Sequence, residues 1–502
     1  MLLLLVKSDH SVTLGSWLAV LACYALPLWF MSLRIQNPWL VKIIATVKAR
    51  ISKFIYRLWA KEIIRDAYSK ARGQPFNVFA PESRLTFVSS AEHINDIARA
   101  ANDELSLHSA SKALLKPGYT MNGFNWHDQR GVEGIGFVRT LRTLLTNHLP
   151  RMTLGVRVII DRNFAMELEK KEAVNAFSLI KRIVTKISGL AFFGRDLMED
   201  EEFMRAALKY NEDVLYGSEV LGLLPKFLVP IVGAVMPRFL TCQEKLYNGL
   251  VEVIEQRLRS SNSEGHEDVI QWIINTSPKA TPWSAGRIAY EVMAIWFGSV
   301  HGLSTALTFV LYNLCAHPEY IKPLRAEIES SAVDAFFMTG EGLPLLDSFL
   351  KECSRMTPVE SVTTRRMALK RFTFSDGTRL EKGDWTCIPV GAMLKDDTLY
   401  PQPDEFNGFR FADPKLFGET KSVQPEGPSK FTDVLDNWQV WGTGKMTCPG
   451  RFFVSYVMKH IMLHILENYD PGLVNEKAPN TITWRSLTLP RPGVKINFRP
   501  RE

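Results

Sequence analysis

No two of the six cysteines, Cys23, Cys242, Cys315, Cys353, Cys387 and Cys448, stand in a Cys-x-x-Cys spacing. That argues against a zinc ribbon and, in a chain of 502 residues, against a small disulfide-stapled scaffold. It fits a chain whose bulk sits in a reducing compartment, with five of the six cysteines acting as buried small apolar residues. The net charge of +7 comes with no basic block and no nucleic-acid-binding module, so no nucleic acid is expected as a partner. Internal repeats, low-complexity tracts and a flavin or dinucleotide fingerprint are also missing. Apolar residues, by contrast, are plentiful at 46%, against 23% charged, which is enough for a sizeable core in a large enzyme fold.

Charge itself is missing from Ser11 to Leu33, SVTLGSWLAVLACYALPLWFMSL. A run of about 20 apolar residues is long enough to cross a bilayer as a helix, and Pro27 kinks such a helix without forbidding it. The run is longer than a signal-peptide core and no A-x-A-like site ends it, so a retained anchor is expected over 11–33. Acid is then absent until Glu62, while Arg34, Lys42, Lys48, Arg50, Lys53, Arg57 and Lys61 follow one another. On the other side Lys7 is offset by Asp9. This bias places the large carboxyl-terminal part in the cytosol, with a basic amphipathic connector over 34–72 resting on anionic lipid. A catalytic domain over 73–502 completes the expected organisation.

Periodicity predicts a mainly α fold with a smaller β part. PFNVFAPESRLTFVSS alternates about a turn and predicts two strands, and AEHINDIARA returns to helical spacing. From about 130 to 335 apolar residues recur three and four apart. The longest such stretch, SAGRIAYEVMAIWFGSVHGLSTALTFVLYNLCAHPEY, is apolar on all sides and predicts an interior helix. Ser299, His301, Ser304 and Thr305 interrupt its centre and argue against a second membrane span. RFTFSDGTRLEKGDWTCIPV predicts short strands, 401–440 a loop, and RFFVSYVMKHIMLHILENYD a helix.

Between that loop and that helix lies WGTGKMTCPG, residues 441–450. A thiolate at Cys448 is a strong donor to iron if it stays unprotonated. Holding it so takes a tight turn, glycines that let backbone come close to a flat group, N–H groups aimed at sulfur, and the positive end of a helix dipole. Trp441, Gly442, Gly444, Cys448, Pro449 and Gly450 before Arg451 meet those needs.

WGTGKMTCPGRFF resembles the haem-binding loop of the cytochrome P-450 monooxygenases, aromatic-x-x-Gly-x-x-x-Cys-x-Gly. Glu352 and Arg355 in KECSR resemble the Glu-x-x-Arg pair of that family, and Arg410 in PDEFNGFRF resembles the third member of its network. Three apart, Glu352 and Arg355 share a helix face, and a second arginine can satisfy the remaining carboxylate lone pairs. The HPEY, FSDGT and CPGRFF stretches are similar to fungal members of the endoplasmic reticulum.

The resemblance implies the P-450 fold and haem b bound by Cys448, with Trp441, Gly442, Gly444, Lys445, Gly450 and Arg366 around it. It implies electrons from a separate NADPH-dependent reductase, O2 as co-substrate, and oxidation of a lipophilic small molecule, such as a terpenoid of fungal secondary metabolism. It also places His301 and Gly302 at the oxygen-binding kink, where relatives usually carry an acid and then a threonine. Gly302 has no hydroxyl, and His301 is expected to titrate near neutral pH and relay protons. A second departure puts Met446 where relatives often have a propionate-binding Arg or His, with Lys445 beside it. Arg365 competes with Arg366 for the strand position, and Arg139 and Arg142 are the candidates on the helical side. Phe124 and Trp126 fall where relatives recognise substrate. A basic face of Lys445, Arg451 and Lys459 toward an acidic partner is one reading of these charges, and plain solvated charge is the other and favoured one for each.

Overall fold

A computed structural model of the protein describes residues 38–124, 139–169, 173–259, 265–419, 423–424 and 426–501. The expected anchor over 11–33 and Trp126 lie outside the described residues. Helix α1 (Pro38–Ala71) bends at Trp59, where φ is −130° and ψ 30°. Tyr56, Ala60 and Ile64, four apart, share one face and pack on Val78, Leu85 and Trp385 of the neighbouring sheet. The carboxyl-terminal half of the basic segment is therefore docked on the strands. Strands β1 (Phe76–Phe79) and β2 (Arg84–Phe87) pair antiparallel as the alternation predicts, Phe76 opposite Phe87. Helix α2 (Ala91–Arg99) is capped by Ser90, whose hydroxyl accepts the His93 N–H at 3.3 Å. Strand β3 (Leu105–Ser106) follows.

A π-helical turn over Thr140–Leu145 leads into the helical body: α3 (Thr146–Leu168), α4 (Ala176–Phe193) after strand β4 (Ala173–Asn175), α5 (Glu201–Leu223) and α6 (Cys242–Arg259). The long apolar stretch is split into α7 (Ala285–Ser299) and α8 (His301–Ala316), and both run through the core. Taken together they are long and apolar enough to cross a membrane, but most of that surface is covered by other helices. Helix α9 (Pro344–Met356) precedes strands β5 (Thr363–Ala368), β6 (Phe372–Thr373), β7 (Arg379–Leu380) and β8 (Trp385–Ile388). The described part of 401–440 is loop apart from one 3-10 turn, Pro414–Phe417. Helix α10 (Arg451–Asn468) comes next, then β9 (Tyr469–Leu473), β10 (Thr481–Trp484), β11 (Leu487–Pro490) and β12 (Lys495–Pro500).

The fold is mainly helical, with its strands set at the edges. One sheet has the order β1-β2-β8-β5-β3, parallel only between β2 and β8; a second has the order β4-β12-β9. A single large apolar cluster joins α3, α4, α7, α8, α9 and α10. It leaves the cysteine turn at the start of α10 and the break between α7 and α8 as the irregular backbone inside the helical body. Cys315, Cys353 and Cys387 are buried as expected, whereas Cys242 is half-exposed at the start of α6, where half of the helix surface meets solvent.

Candidate functional site: the cysteine turn and the helix break

The backbone of the cysteine turn is held from several sides. The Cys448 N–H donates to Trp441 O at 2.8 Å and closes the loop on itself. Burial pushes the Cys448 thiol up; the N–H groups of Gly450 and Arg451 and the guanidinium charges of Arg451 and Arg142 pull it down. That set of N–H groups at the first turn of α10 is what a buried anion needs. Trp441 donates its Nε1–H to Phe431 O at 2.6 Å. Gly442 and Gly444 both have positive φ, 73° and 65°. Gly444 packs against α2: a Cβ there would lie 2.6 Å from Ala98 O. A Cβ on Gly450 meets nothing within 4 Å. Lys445 is exposed, and its carbonyl accepts the Arg142 guanidinium at 3.0 Å; Thr447 O accepts the same group at 3.1 Å. Arg142 therefore reaches the turn, while Arg139 is exposed.

A basic face of Lys445, Arg451 and Lys459 is not formed. Lys459 is buried in an ion pair with Asp347, and Arg451 donates to Thr432 O at 2.9 Å and Cys448 O at 3.1 Å. Lys459 is spent on a buried carboxylate and half-buried Arg451 on local backbone, so of the three only Lys445 is fully exposed.

Behind the turn, Glu352, Arg355 and Arg410 are 0%, 0% and 1% exposed. Arg355 grips Glu352 with two bonds, Nε to Oε2 at 2.7 Å and Nη2 to Oε1 at 2.9 Å. Arg410 Nε lies 3.2 Å from both oxygens, and the Asn407 N–H donates to Oε1 at 2.9 Å. The remaining guanidinium N–H groups go to the carbonyls of Leu394, Pro401, Gln402, Pro403 and Glu405. A fully buried group this well satisfied fixes the geometry of the 401–410 loop.

Arg365 and Arg366 are told apart by a bulge. Thr364 has φ of 53°, and the β5–β8 register shifts between Thr363 and Arg366. Arg365 turns toward Glu360 and Ser486, each at 3.1 Å. Arg366 is 4% exposed and, among the described residues, bonds only the Arg365 carbonyl, at 3.0 Å; burial alone pulls its guanidinium down to about 10. A buried cation with no carboxylate partner among the described residues is the position an anionic group completes.

On the other side α7 ends at Ser299, and Val300 makes the break. Ser299 Oγ donates back to Trp296 O at 2.8 Å, Ser304 Oγ to Val300 O at 2.7 Å and Thr308 Oγ1 to Ser304 O at 2.7 Å. Such back-bonds bend helices. A Cβ on Gly298 or Gly302 meets nothing within 4 Å among the described residues. His301 does not titrate near neutrality as expected: burial lowers it to about 4, with the Lys181 cation adding to the shift and Glu212 opposing it. It is neutral at pH 7, and its Nδ1 is buried with no hydrogen-bond partner among the described residues. Phe124 is buried near Tyr290 of α7, ring centroids 5.6 Å apart.

The family model for cytochrome P450 matches residues 67–498. The chain belongs to the cytochrome P-450 family. It is a haem-thiolate monooxygenase by that membership, and its cofactor is haem with an axial cysteine thiolate. It is 28% identical over 458 residues to cytochrome P-450 monooxygenase 151 of Postia placenta, covering 88% of this chain and 89% of that one. It is 26% identical over 491 residues to cytochrome P-450 monooxygenase paxP of Penicillium paxilli, covering 94% and 90%. An ent-kaurene oxidase of Gibberella intermedia is 29% identical over 375 residues, covering 72% and 70%. Among solved structures, retinoic acid bound cyanobacterial CYP120A1 matches with a TM-score of 0.64 at 16% identity, covering 86% of this chain and 94% of that one, which shows the shared P-450 fold. The residues present fit a haem: a cysteine whose sulfur receives backbone N–H groups, glycines with open space at Gly298, Gly302 and Gly450, and Arg366 lacking an anion.

Proposed function

We propose that Cys448 supplies the axial thiolate and that the cofactor, haem b, lies between the cysteine turn and the α7–α8 break. The observation that carries this reading is the pair of N–H groups, from Gly450 and Arg451, directed at the Cys448 sulfur at the start of α10. In this reading Arg366 pairs with a propionate, Arg142 braces the turn through Lys445 O and Thr447 O, and Trp441, Gly442, Gly444 and Gly450 shape the backbone around the cofactor. Glu352, Arg355 and Arg410 keep the preceding loop fixed. Haem supplies O2 activation and C–H oxidation when bound. The protein supplies the ligand, orientation and a dry apolar pocket.

We further propose a single-pass anchor over 11–33 in the endoplasmic reticulum membrane, the connector over 34–72 and a cytosolic catalytic domain over 73–502. Supporting this, Phe227, Ile231 and Phe239, close together in sequence between α5 and α6, are exposed large apolar residues. The substrate is then a lipophilic small molecule, a fungal secondary metabolite such as a terpenoid. The names of the relatives, an ent-kaurene oxidase among them, favour that class. Electrons come from an NADPH-dependent reductase, with exposed Arg139 and Lys445 as candidate contacts.

Gly302 favours a second reading, a haem-thiolate enzyme that desaturates, rearranges or uses peroxide. A hydroxyl is missing where a threonine is usual, and the neutral His301 beside it carries no excess proton at pH 7. Product formed under 18-O2 separates the two: label in the product supports monooxygenation, and its absence supports the second reading.

The deciding experiment is the difference spectrum of the reduced protein with carbon monoxide, for wild type and Cys448→Ser. A Soret band shifted strongly to long wavelength, lost in the variant, is expected. A haem band without that shift in wild type would overturn the thiolate assignment.

A further inference from the structure

Helix α9 carries two sets of buried charges. Glu352 and Arg355 hold the 401–410 loop. Asp347 and Lys351, four residues apart and on one helix face, hold a different segment, 429–433. Lys351 is 0% exposed, and its Nζ donates to Ser429 Oγ at 2.8 Å and Lys430 O at 3.0 Å. The ammonium also lies 4.6 Å from the Phe411 ring centre and 4.9 Å from that of Trp438, so aromatic faces replace part of its lost water. Burial lowers it to about 8, against the pull of Asp433, Asp347 and Glu426. Asp347 accepts the Phe431 N–H at 2.6 Å and pairs with Lys459 of α10, whose Nζ also reaches Gly342 O at 2.8 Å.

The same short segment receives the cysteine turn from the other side. Phe431 O accepts Trp441 Nε1 at 2.6 Å and Trp438 Nε1 at 3.2 Å, and Thr432 O accepts Arg451 Nε at 2.9 Å. Trp441 O in turn takes the Cys448 N–H, and Arg451 takes the Cys448 carbonyl. Hydrogen bonds linked through the 429–432 backbone and the residues Trp441 and Arg451 thus connect α9 to both backbone groups of Cys448. We infer that Asp347, Lys351 and Lys459 are positioning residues for the axial thiolate, acting through the backbone of 429–432 and the side chains of Trp441 and Arg451. The inference rests on Cys448 being the haem ligand. Buried charges of this kind add little net stability, and a constraint on geometry is what they supply.

The test compares full-length holoenzyme carrying Lys351→Met, Asp347→Asn or Lys459→Met with wild type and with Leu246→Ala, a core truncation remote from the turn. The readouts are the carbon monoxide spectrum, the haem reduction potential and the rate of haem transfer to apomyoglobin. The brace variants are expected to shift part of the Soret intensity to the short-wavelength band, move the potential and lose haem about tenfold faster, as loss of outer-shell support does. Leu246→Ala lowers the melting temperature with an unchanged Soret position. If a brace variant does not fold, Ser429→Ala, which removes one of the two Lys351 acceptors, is expected to show the same spectral change in smaller degree. Folded variants with wild-type spectrum and potential would overturn the inference. Wild type lacking the long-wavelength band would instead overturn the Cys448 assignment.

Discussion

The two sides of the proposed haem site are built on opposite principles. The cysteine side is crowded with hydrogen bonds: Cys448, Trp441 and Arg451 each bond named backbone groups, and Gly444 has no room for a side chain. Among the described residues the side of the helix break is open, with free space at Gly298 and Gly302 and a His301 nitrogen that none of them bonds. A ligand that must stay anionic and correctly aimed needs a preorganised, satisfied surround. A face that admits O2 and a varied apolar substrate needs space and few fixed polar groups. The difference teaches where substitution is tolerated.

The largest break in that contrast comes from the buried network behind the cysteine turn. Glu352→Gln leaves Arg355 and Arg410 as uncompensated buried cations, and the expected loss is about 3–5 kcal/mol. Chemical denaturation and haem content measure it; a loss under 1 kcal/mol would show that the network is not the clamp described.

A matched pair of glycine substitutions sharpens the comparison. Gly444→Ala drives a Cβ into the Ala98 backbone at positive φ and is expected to cost about 1–3 kcal/mol with loss of haem. Gly302→Thr enters open space on a helix and is expected to stay within about 0.5 kcal/mol of wild type. Its effect falls instead on product formed per NADPH, and unchanged coupling would show that the missing hydroxyl is immaterial. Equal melting temperatures for the two variants would erase the contrast between the two sides.

The last effect is a slope with pH. His301 has a folded pKa of about 4 against an ordinary value of 6.5, so between these limits the unfolded chain binds the extra proton. Stability therefore falls as the pH drops from 6.5 toward 4, by at most about 1.4 kcal/mol per pH unit for that proton. His460, lowered to about 3 mainly by burial, adds a second slope in the same direction. Denaturation of His301→Gln across this window is expected to be flatter than wild type by one proton; an equal slope would mean that His301 is not held neutral.

Much of the fold was legible because its signals are local. Alternation marked β1 and β2, spacing marked the helices, and Glu352 and Arg355 sat at the separation that one helix face requires. Lys351 and Asp347 carried no such signal. In the sequence they are ordinary charges on an amphipathic helix, and only the return of 429–433 over α9 shows that both are buried. Lys459 misled for the same reason, since its exposure depended on Asp347, more than a hundred residues away.

The sequence by itself determined the cysteine turn, the helical body, the apolar run at 11–33 and the absence of a threonine at 302, because each is a matter of residue type and short spacing. Tertiary structure alone turned Arg365 to Glu360 and left Arg366 without a carboxylate among the described residues through a bulge at Thr364, sent Arg142 to the carbonyls before Cys448, made Gly444 a contact for α2, and held His301 neutral. Those outcomes depend on burial and on partners distant in the chain. Desolvation and pairing energies are set by what surrounds a group in space, which neighbouring residues in sequence do not specify.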